Sequence, residues 1–320
     1  MSKYNYRLIH RNRLLLAAAG AFATVGITGT LLAAQFGDWI EPVNAENPAT
    51  DPKLNTVFND GCPILSPDGL SLYMATNRPV RGAGGLDIWV ATRATTTSAW
   101  GAPAPLPREI NTADDEFCPT PIRGRGLFFV RRPAGGMNGD IYRTRLDRDG
   151  WREPERLPDT INSTAQEWSP AYFEDEAGNE VLYFSTTRNG PQKIYASVNY
   201  GQARPVAELN AGGDAARPNV RKDGREIVFD STRSPNLSPP GVTAAPDIWT
   251  ATRGSTAEPW SAPRHLPKVS SPATDTRASL SWDGTFLLVG SNRAESEVTA
   301  PGAPAQADIY VSTRTGRNGE

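Results

Sequence analysis

Carboxylates, guanidinium groups and thiols stand at repeating places along this 320-residue chain, and these are the side chains from which chemistry could be built. Acidic residues precede a series of apolar segments: Asp60, Asp115 with Glu116, Glu167, Asp214 and Asp275. Arginines end the next segment of each unit (Arg78, Arg132, Arg188, Arg233, Arg293), and aspartates open the one after it (Asp87, Asp140, Asp247, Asp308), with Lys193 as the exception. Two carboxyl groups roughly 5–10 Å apart can hydrolyse a glycosidic bond. Under that reading Asp60, Glu116 and Glu167 are the catalytic candidates. The same acids could instead receive a cation, a basic peptide or sugar hydroxyls. An arginine beside an aspartate on a neighbouring antiparallel strand also makes a charge-assisted pair within one sheet. A feature repeated in nearly every unit therefore reads first as scaffolding, since structural ion-pair networks build such clusters too.

The asymmetric neighbours of the acids are more informative. Phe117 and Trp168 follow two of them, and Arg217 and Arg277 follow two others. With Asp60, Asp115, Glu116, Glu167, Asp214 and Asp275 they form the expected ligand-facing set. The rest of the catalytic inventory is thin. His10 and His265 are the two histidines, which argues against a Ser-His-Asp triad or a histidine-based metal site. No nucleophile elbow, phosphate-cradling glycine loop or Cys-x-x-Cys pair is present. No cofactor and no metal are expected. Cys62 and Cys118 each precede a proline in successive units. Equivalent side chains in a rotational array are expected to point the same way round the ring, which disfavours a disulfide and leaves two small buried thiols.

These residues are positioned by a sentence repeated five times. A strand-like segment ends in a turn such as Ser66-Pro67-Asp68-Gly69, and a second apolar segment closes on an arginine. An Asp-Ile-aromatic segment follows, as in Asp87-Ile88-Trp89, and then a Trp-Pro-Leu stretch leads to Asn-Thr or Asn-Ser. Self-similarity at about fifty residues with four short strands per unit predicts a β-propeller. The units run approximately over 57–106, 113–157, 164–209, 214–266 and 275–314. The third has a weak fourth strand ending at Leu209-Asn210, and the fifth lacks one. Trp39, Pro42 and Leu54-Asn55-Thr56 repeat the missing pattern near the other end of the chain. The expected architecture is all-β: a five-bladed propeller over 37–320, its last blade completed by an N-terminal outer strand at 38–54. The aromatic residues of the Asp-Ile-aromatic segments should fill the space between blades.

The repeat Ser66-Pro67-Asp68-Gly69-x-x-Leu72-Tyr73, an Asn77-Arg78 or Thr-Arg ending, and Asp-Ile-Tyr/Trp resemble the WD-like propeller repeats of TolB-type proteins. The resemblance spans 37–320. It departs from the pattern at Arg123-Gly124-Arg125-Gly126, which replaces an Asp-Gly turn, and at 174–179, where the turn is longer. It implies an envelope or secreted protein-interaction platform, which is the first functional expectation. The second is a glycan-active hydrolase or lyase. The expected partner is a protein or peptide, with carbohydrate as the alternative, and the expected state is a monomer.

The formal net charge of −2 argues against nucleic acid as a partner. Residues 1–36 read as a basic tail (Lys3, Arg7, Arg11, Arg13) followed by an uncharged apolar stretch at 14–34. Such a stretch is close to the roughly 20 residues that span a bilayer. It predicts an extracytoplasmic propeller, periplasmic or extracellular, tethered to the membrane by 14–34 or secreted after cleavage. The long Pro/Gly/Ala-rich loops at 79–86, 133–139, 234–246 and 294–307 should extend over the ligand-facing side.

Overall fold

The computed structural model describes residues 36–46, 54–80, 85–294, 296 and 305–316. The anchor or signal expected at 14–34 and the basic tail before it lie outside the described residues, as do parts of the 79–86 and 294–307 loops.

Five sheets of antiparallel strands follow one another along the chain. Blade 1 runs from the inner strand Asp60–Leu65 through Ser71–Thr76 and Asp87–Thr92 to Ala104–Pro105. Blade 2 comprises Asp115–Ile122, Gly126–Arg132, Asp140–Asp147 and Glu155–Arg156, with a small extra strand at Gly150–Trp151. Blade 3 has Glu167–Glu174, Glu180–Thr186, Lys193–Val198 and Arg204–Pro205. Blade 4 has Ala216–Val220, Glu226–Ser231, Asp247–Thr252 and Arg264–His265. Blade 5 has Asp275–Leu280, Phe286–Ser291 and Asp308–Thr313, and its outer strand is Val43–Asn44, paired as Val43 with Val311 and Asn44 with Tyr310. Each inner strand packs beside the next, and that of blade 5 returns to that of blade 1, so the molecule is a five-bladed propeller. The outer strand expected to end at Leu209-Asn210 is instead Arg204–Pro205. Leu209 and Asn210 lie in the single helical turn Ala207–Asn210 that follows, which drops Leu209 into the core.

The repeated sentence is explained by three repeated contacts. The asparagine of Asn-Thr reaches back to the isoleucine of the preceding Asp-Ile-aromatic strand. Asn111 accepts from Ile88 N–H at 2.9 Å and donates to the carbonyls of Ile88 and Leu106. Asn162 does the same at Ile141, and Asn55 bonds both backbone groups of Ile309. Ser270 takes this place before blade 5 and satisfies only the Ile248 N–H. Second, an arginine ending each second strand lies over the aromatic ring of the third. These are Arg78 on Trp89, Arg131 on Tyr142, Arg188 on Tyr195, Arg233 on Trp249 and Arg293 on Tyr310, at 4.7–5.4 Å. Third, an arginine just after the third strand binds the glycine carbonyl of the Asp-Gly turn and stacks on the outer-strand tryptophan. Arg93 on Trp100 and Arg253 on Trp260 do so at 4.2 Å. Arg314 stacks on Trp39 at the same 4.2 Å while donating to Gly284. Trp39 thus fills in blade 5 the place that Trp100 and Trp260 fill in theirs.

The core lies between blades. Phe128, Phe129, Phe184, Phe229 and Tyr310 are fully buried there, as strand alternation with aromatic and branched side chains requires.

Candidate functional site

Every inner strand carries a bulge near its start, where the pairing with the second strand slips. The bulged residues are Cys62, Cys118, Ser169, Arg217 and Arg277, all with left-handed backbone at φ 49–56°. Four are followed by proline, whose fixed ring and missing N–H suit a strand interrupted at that point. The bulge turns all five side chains towards the axis. They line a cavity of about 40 Å³ together with Pro63, Pro119 and Pro170. Cys62, Arg217 and Arg277 also form the floor of a wider cavity of about 400 Å³ at the channel mouth, walled by Asn59, Thr276, Asn292 and Gln306. The axial funnel is therefore floored by two thiols, a hydroxyl and two guanidinium groups.

The floor is tightly wired. Cys62 and Cys118 Sγ lie 3.3 Å apart, and Ser169 Oγ is 3.2 Å from Cys118 Sγ. Arg277 Nη1 donates to Cys118 Sγ at 3.0 Å and also to Cys62 Sγ. Arg217 pairs with Asp230 at 3.0 Å through both Nε and Nη2, and Asp230 also accepts the Arg277 N–H at 3.1 Å. Burial pushes the Asp230 carboxyl up to about 6 against the pull of Arg217. Burial also lowers Arg277 to about 10 and raises the Cys118 thiol to about 12. No acidic side chain pairs with Arg277 among the described residues.

The acids expected to face a ligand are placed elsewhere. Asp60, Glu116, Glu167 and Asp275 are fully buried at the heads of their inner strands. Each closes the preceding Asn-Thr or Ser turn. Asp60 accepts from Thr56 N and Oγ1 at 2.7 Å, Glu116 from Thr112, Glu167 from Ser163 and Asp275 from Ser271. Each is then neutralised by its own blade: Arg78 on Asp60 at 2.8 Å, Arg131 on Glu116 at 2.7 Å, Arg188 on Glu167 at 3.0 Å and Arg293 on Asp275 at 2.7 Å. Burial raises the carboxyls of Asp60 and Glu116, and these partners oppose the rise. Asp115 is held by Arg132 and by the Leu86 N–H. Asp214 accepts from Thr232 N and Oγ1 at 3.0 and 2.9 Å. Blade 4 has Ala215 where its neighbours have the buried acid.

The expected pairing of the strand-two arginine with the third-strand aspartate is thus corrected. The arginine turns to the inner strand, and Asp140 and Asp247 are met from the outer strand by Arg156 at 2.6 Å and His265 at 2.9 Å. Asp87 has no hydrogen-bond partner on either oxygen. In blade 2 it is Arg131, not Arg132, that takes the repeated role.

Phe117 and Trp168 stand one register position before the axial ring, opposite Val130 and Ser185. A shift of one residue sends a side chain to the other face of its strand. Phe117 is accordingly buried, edge-on to Trp168 at 5.8 Å, and presents no open ring for a sugar. Arg217 and Arg277 share the bulge position with the cysteines and reach the funnel. The cysteines converge because the bulge aims equivalent side chains inward where the ring is narrowest, which corrects the expectation that they point past one another. Sequence reasoning missed Asp230 and Ser169. The signal for Asp230 was an acid where the equivalent second-strand positions hold Ala75, Val130, Ser185 and Gly290. The signal for Ser169 was its place before Pro170.

Fold and funnel define a five-bladed β-propeller with a cationic axial floor. No family profile matches the sequence, and no curated protein sequence matches it either. Among solved structures the chain is similar to a thermostable family-43 glycoside hydrolase at TM-score 0.52 and 13% identity, over 82% of this chain and 90% of that one. It is similar to a GH43_1 enzyme from Xanthomonas citri at TM-score 0.52 and 15% identity, over the same shares. TolB from Acinetobacter baumannii matches at TM-score 0.46 and 16% identity, over 78% of this chain and 54% of that one. At such identities the likeness is one of fold.

Proposed function

We propose that this protein is a non-catalytic binding platform whose funnel-bearing face takes a protein or peptide through an acidic group, either a side chain or a terminal carboxylate. The observation that carries this reading is the lining of the two axial cavities: among the described residues it includes Arg217 and Arg277 and no aspartate or glutamate. A glycosidase needs two carboxyl groups facing one bond, and the candidate acids are each held inside a blade by that blade's own arginine. Arg277 brings to a site about 400 Å³ in volume a guanidinium that has no carboxylate partner among the described residues. That chemistry suits a planar oxyanion approaching along the axis. The basic and apolar run at 1–34 supports an extracytoplasmic, membrane-tethered or secreted location for the platform, where an envelope protein or peptide is at hand.

Immobilised full-length protein on peptide and glycan arrays tests the reading. Peptides with acidic or free C-terminal groups should be retained, and Arg277→Gln should abolish their retention. Hydrolysis of a glycan, or saturable glycan binding lost in Glu116→Gln and Glu167→Gln, would overturn it in favour of a glycosidase or lyase.

A further inference from the structure

We propose that Cys62 and Cys118 form a peroxide-reactive dithiol at the floor of the funnel, with Cys62 the attacking sulfur, Cys118 the resolving sulfur and Arg277 the positioning residue. It shares Arg277 with the proposed binding site, but its test reads the oxidation of the sulfurs and not the retention of a ligand. The sulfurs already lie 3.3 Å apart, and a disulfide at about 2.05 Å requires them to close by roughly 1.3 Å, within reach of small side-chain rotations. Neither belongs to the packing between blades alone: both are turned to the axis by backbone at φ 49° and 51°.

The two sulfurs are not equivalent. Cys62 lines both the mouth cavity and the inner one, whereas Cys118 lines only the inner one. A small neutral oxidant coming down the funnel therefore meets Cys62 first. Arg277 donates to both sulfurs and has no acidic side chain paired with it among the described residues. A thiolate is the anion that completes its surroundings, and a neighbouring arginine is the kind of partner that favours one. Cys118 is held protonated by burial, with its thiol raised to about 12.

The chemistry balances with one peroxide. The Cys62 thiolate attacks one oxygen of hydrogen peroxide, the O–O bond breaks, and Cys62 becomes a sulfenic acid while hydroxide leaves. The Cys118 sulfur then attacks the Cys62 sulfur, the S–O bond breaks and water departs. The two thiol protons neutralise the two oxygens, giving two waters. The dithiol loses two electrons to the peroxide.

The test is a time course of full-length protein with hydrogen peroxide, followed by denaturation, alkylation and intact mass analysis. The wild type should become about 2 Da lighter and refuse alkylation, the signature of an intramolecular disulfide. Cys118→Ser should accumulate a sulfenic acid on Cys62 that a dimedone reagent traps, and Cys62→Ser should stay unmodified. Arg277→Gln, checked for folding by circular dichroism, should slow oxidation on the order of tenfold, because the Cys62 thiolate loses its hydrogen-bonded cation. The wild-type measurement stands even if a variant misfolds. The proposal fails if the folded wild type keeps two alkylatable thiols under peroxide that oxidises the same chain in urea. It fails equally if Cys62→Ser reacts as fast as wild type, or if the disulfide links two molecules.

Discussion

Asp87 opens the third strand of blade 1 with both carboxylate oxygens buried and without a hydrogen-bond partner. Burial, with the nearby charges of Glu116 and Asp115, pushes its carboxyl from 3.8 up to about 7. Between these two values the folded chain holds a proton that the unfolded chain has released. Stability must therefore fall as pH rises through that window, and the whole penalty is present above pH 7. About three units at roughly 1.4 kcal/mol each set an upper bound near 4 kcal/mol, and relaxation around the charge reduces the expected value to about 2 kcal/mol. Asp87→Asn removes the titration and adds only a pH-independent offset from its amide. Urea midpoints for wild type and Asp87→Asn across pH 4.5 to 8 measure the difference. The variant should gain about 2 kcal/mol relative to wild type on going from acid to base. Parallel stability curves would refute the reasoning, because they would mean that Asp87 is ionised in the fold at no cost.

Three further outcomes are expected. Asn111→Ala removes three buried hydrogen bonds and should lower stability by about 2–4 kcal/mol, whereas Ser270→Ala, with one, should cost about 1 kcal/mol; chemical denaturation compares them. Trp39→Ala should cost about 3–5 kcal/mol, since it empties a buried site and takes from Arg314 one of two stacking rings, leaving Phe36; its thermal midpoint, beside that of Trp100→Ala, shows whether the two tryptophans do equivalent work. Asp230→Ala leaves the half-buried Arg217 without its carboxylate and the Arg277 N–H without its acceptor, and should cost about 2–4 kcal/mol, with Asp230→Asn intermediate, measured in the same urea titrations.

Much of the blade was legible in the residues because its signals are local. Asp-Gly turns, alternating apolar strands and the Asn-Thr pair recur at a fixed spacing, and each recurrence answers to one contact such as Asn111 with Ile88. Arg217 and Arg277 were singled out as departures from the repeat, and they meet at the axis. The buried acids were misplaced because a carboxylate at a strand head looks the same whether it faces solvent or closes a turn. Thr112 with Glu116 becomes recognisable as a turn only once the four-residue spacing is tied to Arg131. The funnel floor was hidden by the bulge, which alternation does not anticipate: it separates Phe117 from Cys118 by one residue and sends them to different surroundings. The convergence of Cys62 with Cys118 follows from the same displacement.

The pairing of Val43 with Val311 has a consequence for biosynthesis. The earliest and the latest parts of the described propeller meet in one sheet, so while translation is under way the growing arc has two raw flanks. Unsatisfied strand flanks invite neighbouring nascent chains to join. Looping out roughly 270 residues costs little more free energy than looping out half as many, because the entropy grows only logarithmically. What the seam demands is patience: the circle cannot close until Val311 has been made.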